Sequence, residues 1–293
     1  MKNLKSITII ALMLISSILF VNCEKESVEI QEQSLTPELI GELHNKAMDN
    51  FKNNYSNKNN YSGEKLTEDI IQYNMSFLKN KAVEKSIKLN NEFNLERHKE
   101  LFNTDELAHK SFYKVSSKYS SKNFKKAEED YNLYQKVNFI YDNKLINSNE
   151  KELLTSLIKY HQQNYEKVIS DIELRNKVIE IENTFKNSNP NYENPGTYYV
   201  AASIEIAKNS NEWWAENLYS TQQGKNIHSK ALIAPWVAAD IIGGAANGLM
   251  NIFEQGAANG FKGKISAGNV GWAVLKGAVS SSVAPWSKIA KLF

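Results

Sequence analysis

The chain has 293 residues, 42% of them apolar and 23% charged, with one cysteine. That length supports one or two domains with real cores, while a single cysteine closes no intramolecular disulfide and, beside only five histidines, offers no thiolate metal site. A formal charge of +2 and just two arginines, Arg97 and Arg175, argue against a dedicated nucleic-acid or phosphate binder.

Lys2 and Lys5 precede an apolar run from Ile7 to Val21, broken by Thr8, Ser16 and Ser17. A basic start and an apolar stretch too short to span comfortably read as a secretory signal. The run closes on Phe20-Val21-Asn22-Cys23, which resembles the lipobox of bacterial lipoproteins in its loose Bacteroidota form, with Phe20 where the strict pattern has Leu. The resemblance implies cleavage before Cys23 and lipidation of that residue. It makes 1–22 a signal peptide and places the protein in the cell envelope, on the surface or periplasmic face of the outer membrane. Glu24-Lys25-Glu26 resembles the short acidic signals of surface-exported lipoproteins. Two or three acyl chains hold a protein on a bilayer where one does not. Without residues 1–22 the chain carries 33 basic and 33 acidic residues, so no net field steers it to a polyanion.

Residues 23–35 read as a polar tether. A helix starts at once after it: Thr36 suits the cap, Pro37 the first helical position and Glu38 the positive dipole end, and Leu39, Leu43, Ala47 and Phe51 continue at a spacing of four. Further helical patterns cover 67–93, 104–119 and 124–142. The longest pattern runs over 149–185 with Ser148 as its cap. Leu154, Ile158, His161, Tyr165, Val168, Ile172, Arg175 and Ile179 follow one another at alternating spacings of four and three, the seam of one helix lying along a partner. His161 and Arg175 are expected to bond or snorkel at the bundle edge. Asn189-Pro190 and Asn194-Pro195-Gly196 mark a loop, and a helix over 197–219 carries Tyr198, Tyr199, Trp213, Trp214 and Tyr219, aromatics that fit a core or interface. No stretch sustains two-residue alternation. The body, 36–230, reads as all-α.

No catalytic set emerges. Glu106 and His109 form one Glu-x-x-His pair, where a di-iron bundle needs two pairs and two more carboxylates. The Gly-Lys within 258–265 lacks the first glycine and the final Ser/Thr of a phosphate loop. His44 is read as lying at the exposed end of Glu42-Leu43-His44-Asn45, with nothing converging on it. No cofactor and no metal are expected.

Composition changes near 230: only 7 of the 63 residues in 231–293 are charged, and nine of the 13 glycines fall there. Gly244, Gly248, Gly256 and Gly260 form a groove of small residues, matched downstream by Gly271 and Gly277. Such spacing lets two helices approach closely, which offsets the cost of helical glycine. The segment is therefore expected to be a helical hairpin, with Trp236, Trp286, Lys288 and Lys291 as candidates for a membrane-interface contact. Asn247, Asn251, Gln255 and Asn259 add a polar stripe, and Asp240, Glu254 and Lys276 add charges that are costly inside a bilayer. This segment resembles the Gly/Ala-rich zipper segments of bacteriocin-like peptides, and that resemblance implies membrane activity. The body is similar to helical Bacteroidota lipoproteins, which adds no activity.

The expectation is an all-α protein, an elongated helical bundle with a C-terminal Gly/Ala-rich helical hairpin, attached to the membrane by lipid and acting without catalysis. The hairpin would pack on the body, insert into a membrane after oligomerising so that the Asn stripe faces inward, or bind a partner's helix. A membrane-active antibacterial factor is the second reading, and an enzyme of unrecognised type the third. Nucleic acid is not an expected partner.

Overall fold

The computed structural model describes residues 35–55, 64–84, 111–113, 122, 132–219, 240, 243–245, 247–249, 251–252, 254–256 and 265–283. Regular structure among them is entirely helical, which makes the protein all-α.

Helix α1 (Pro37–Tyr55) begins where its sequence dictates: the Leu39 amide donates to Thr36 Oγ1 at 3.2 Å, and Pro37 needs no donor in the first turn. It buries two adjacent rows at a spacing of four, Leu39, Leu43, Ala47 and Phe51 in one and Ile40, His44 and Met48 in the other. Enclosing Phe51 alone contributes about 1.5–3 kcal/mol. α2 (Glu64–Glu84) packs on α1 and on the last described helix, and buries Ile71, Leu78 and Ala82.

α3 (Leu133–Asp142) and α4 (Ser148–Tyr165) each start with a reciprocal capping box, Asn132 with Gln135 and Asn147 with Glu150. Asn147, not Ser148, is thus the cap of α4. α5 (Asp171–Asn187) is capped by Ser170, whose side chain accepts from the Glu173 amide at 3.2 Å.

The single helix expected over 149–185 is two. α4 stops in a Schellman turn: the Lys167 amide donates to Asn164 O at 2.9 Å and the Val168 amide to Gln163 O at 2.7 Å, with Lys167 in the left-handed region at φ 63°. The chain then reverses and α5 packs back on α4. The expected seam is continuous only in the sequence. Val168 and Ile172 are 65% and 75% exposed and Arg175 faces solvent, whereas α5 buries Leu174, Val178, Ile181 and Phe185, a second row with the same four-three-four spacing. Two rows competed for one period, and the break falls between them.

α6 (Pro195–Tyr219) and α7 (Ala267–Val283) are enclosed by the others. Residues 196–207 of α6 and 270–282 of α7 are buried without interruption, the mark of helices covered on all sides. α6 meets α1, α4, α5 and α7, while α7 meets α1, α2 and α6. The segment that composition sets apart at 231 therefore adds α7, and helical residues between 240 and 256, to the core that the body also builds. Tyr198, Tyr199, Trp213 and Trp214 are core residues, and the two indoles meet edge to face at 4.9 Å.

Candidate functional site

The residues of α1, α6 and the C-terminal segment converge on one buried carboxylate. Asp240 Oδ2 accepts from Ser210 Oγ at 2.5 Å and from Trp214 Nε1 at 2.8 Å, and Asp240 Oδ1 accepts from Ser282 Oγ. His44 Nε2 lies 3.5 Å from Asp240 Oδ2 and 3.3 Å from Ser282 Oγ, while its Nδ1 lies 3.0 Å from Asn45 Oδ1. His44, Ser210, Trp214, Asp240 and Ser282 are all fully shielded from solvent. His44 is thus not at an exposed end: it occupies the second apolar row of α1, and Asp240 and Ser282 bring polar groups to it from outside that helix.

Serine, histidine and aspartate together invite comparison with a nucleophilic relay. Such a relay sets the carboxylate on one imidazole nitrogen and the serine on the other, with the hydroxyl facing substrate. Here Ser282 and Asp240 both approach Nε2, the Ser282 hydroxyl donates a hydrogen bond to Asp240, and no face is open. What this arrangement does is hold a buried carboxyl group with three donors, the condition for tolerating such a group in a core. It fastens α1, α6 and α7 to one point.

Close approach of small residues supplies the second feature. A Cβ on Gly243 would overlap Ser281 Oγ and lie 2.5 Å from Gly277 O, and one on Gly277 would overlap Gly243 O. Gly244 lies against Val274 and Ala278, and Gly248 against Val274 and Tyr199. The Ser266 amide donates to Gln255 Oε1 at 2.8 Å. Those contacts run in opposite directions along the chain, so the described residues between 243 and 256 lie antiparallel to α7. Gly271 faces away from this pairing, toward Tyr198 and Ile40. Gly256 is buried, and Gly243, which the sequence reasoning passed over, makes the tightest approach. Its signal was present in the pairing of Gly243 with Gly244, since either can face a partner helix.

The polar stripe is turned inward. Asn247 and Asn251 are buried; Asn247 Nδ2 donates to Gly243 O at 2.9 Å and Gln255 Nε2 to Asn251 Oδ1 at 2.6 Å. Lys276 is buried with its ammonium 6.0 Å from the Trp272 ring, and burial pushes its pKa down to about 8 against the opposing pull of Glu254. Elsewhere, His161 is enclosed rather than at a bundle edge: Nδ1 lies 2.7 Å from Leu157 O, Nε2 has no partner, and burial pushes the imidazole down to about 4. Arg175 is exposed and donates to Glu212 Oε1 at 3.2 Å.

Cys23, Glu106, His109, Trp236, Asn259, Gly260, Trp286, Lys288 and Lys291 lie outside the described residues. Among those described, no helix is long and apolar enough to cross a membrane, and no group of three or more His, Cys, Asp or Glu is placed to hold a metal ion. No protein-family model matches the chain, and no curated protein and no solved structure matches it.

Proposed function

We propose that this chain is a non-enzymatic lipoprotein of the cell envelope, held by acyl groups on Cys23, whose helical body and C-terminal segment form one packed interaction module. The lipobox-like Phe20-Val21-Asn22-Cys23 supports the anchor. The observation that carries the structural role of the C-terminal segment is the bonding of Asp240 by Ser210, Trp214 and Ser282 inside the protein. A segment built to line a lumen on its own would keep such groups for water. Palmitate labelling and membrane fractionation test the anchor: the parent should take label and sediment with membranes, and Cys23→Ala should do neither. Retention of Cys23→Ala on membranes through a high-salt wash would overturn it.

The membrane-active reading draws on a different observation, the uninterrupted burial of α7 from residue 270 to 282, which keeps an apolar helix enclosed by others. Dye release from liposomes separates the two. The module reading expects no release by the purified protein; release would promote the second.

A further inference from the structure

A cleft of about 940 Å³ opens at one end of the body, between the α3–α4 turn and the α5–α6 turn. Three asparagines on its walls share one habit. Asn147 Oδ1 accepts from the Glu150 amide at 2.9 Å, Asn191 Oδ1 from the Glu193 amide at 3.0 Å, and Asn194 Oδ1 from the Gly196 and Thr197 amides at 2.8 and 3.2 Å. In each the carbonyl is committed to the backbone, which fixes the side-chain rotamer. The polar group each has left to offer is its Nδ2 amide, a donor.

The charges around the cleft select against an ion. Glu150 at its base is buried and already satisfied, accepting from Thr197 Oγ1 at 2.5 Å and from the Asn147 amide at 2.7 Å. Asp142 and Lys144, both exposed, bring one charge of each sign to its lining. A free anion would meet two carboxylates, and a cation would meet the amide donors. Leu145 and Pro190 add apolar surface between the polar groups. Fixed donors, little net charge and interspersed apolar patches match a ligand with many oxygen acceptors and C–H faces. The volume lies at the upper end of the range for small-molecule sites, about 300–1,000 Å³, so several linked units fit better than one.

We propose that this cleft binds an uncharged oligosaccharide, with the Nδ2 groups of Asn147, Asn191 and Asn194 donating to its hydroxyl and ring oxygens. The test uses the full chain in detergent, titrated calorimetrically with a panel of neutral hexose and N-acetylhexosamine trisaccharides, including maltotriose and chitotriose, and with inorganic phosphate. At least one trisaccharide should bind at millimolar concentration or below and phosphate should not. The triple variant Asn147→Asp, Asn191→Asp, Asn194→Asp keeps every capping oxygen and removes every donor, so it should retain helicity and melting temperature while losing about tenfold or more in affinity. Absence of binding across the panel, phosphate binding more tightly than any sugar, or a folded triple variant that binds like the parent would each overturn the proposal.

Discussion

His44 and Ser282, 238 residues apart in the chain, lie with Nε2 and Oγ 3.3 Å apart, and the Asp240 carboxylate bonds the serine and faces the imidazole. The first described helix and the last are thereby fastened to the same buried group. Replacing Asp240 by Leu removes the acceptor of the Ser210 hydroxyl and of the Trp214 indole N–H, while Ser282 Oγ keeps Ala278 O at 2.9 Å. The expected loss is about 2–5 kcal/mol, since each buried donor left without its acceptor costs about 1–3 kcal/mol, whereas Ser210→Ala should cost about 1 kcal/mol. Urea unfolding of both variants measures the order; an Asp240→Leu loss no larger than that of Ser210→Ala contradicts a central role for the carboxylate.

Two glycines of α7 should respond to alanine with opposite signs. A methyl at Gly277 runs into Gly243 O, a backbone atom that has no rotamer to escape by, and overpacking of this kind costs about 1–3 kcal/mol. Gly268 in the first turn is exposed, with Ser266 Oγ at 3.9 Å the only atom of the described residues within reach, so alanine there should stabilise by up to about 1 kcal/mol. Thermal melts of Gly277→Ala and Gly268→Ala should move apart from the parent in opposite directions.

Acid should loosen the body through His161. Its folded pKa, held down to about 4 by burial, lies below the unfolded value near 6.5, so between those limits the unfolded chain binds more protons. The contribution of this residue is full above the unfolded pKa and falls as pH drops toward the folded one, by about 3 kcal/mol in all. His161→Gln removes the titrating ring. Between pH 6.5 and 4 the urea midpoint should therefore fall more steeply in the parent than in the variant, and parallel slopes would exclude the residue as the source.

Lys167 stands at φ 63°, a conformation that costs an L-residue with a Cβ about 1–2 kcal/mol. Glycine accepts it freely but is more disordered when unfolded. Lys167→Gly should leave a net gain of about 0.5–1 kcal/mol, readable as a higher melting temperature.

That same lysine explains where sequence reading fell short. The start of α1 was legible because Thr36 and Pro37 each have one physical use in that order. The end of α4 was not, because Lys167 fills a place usually given to glycine and no proline follows. Ser170 with Glu173 three residues on was the available mark of a new start. Burial of His44 was half legible. Ile40, His44 and Met48 repeat at a spacing of four beside the row that was recognised, so the histidine belongs to a face too wide for one row. Its partners were out of reach, since a serine and an aspartate two hundred residues downstream carry no local sign of where they will meet.

The fastening of α1 to α6 and α7 also sets a timetable. Ile40 fills the space beside Gly271, Gly41 lies against Asn209, and His44 waits on Asp240 and Ser282. A chain made from its amino end presents the apolar rows of α1 long before these covers exist, and closing such distant pairs is slow. Until the residues of α6 emerge, α1 has little to settle on besides α2, and its cover is completed only with α7. The core consequently closes in one late step, once α6 and α7 are both available to cover α1.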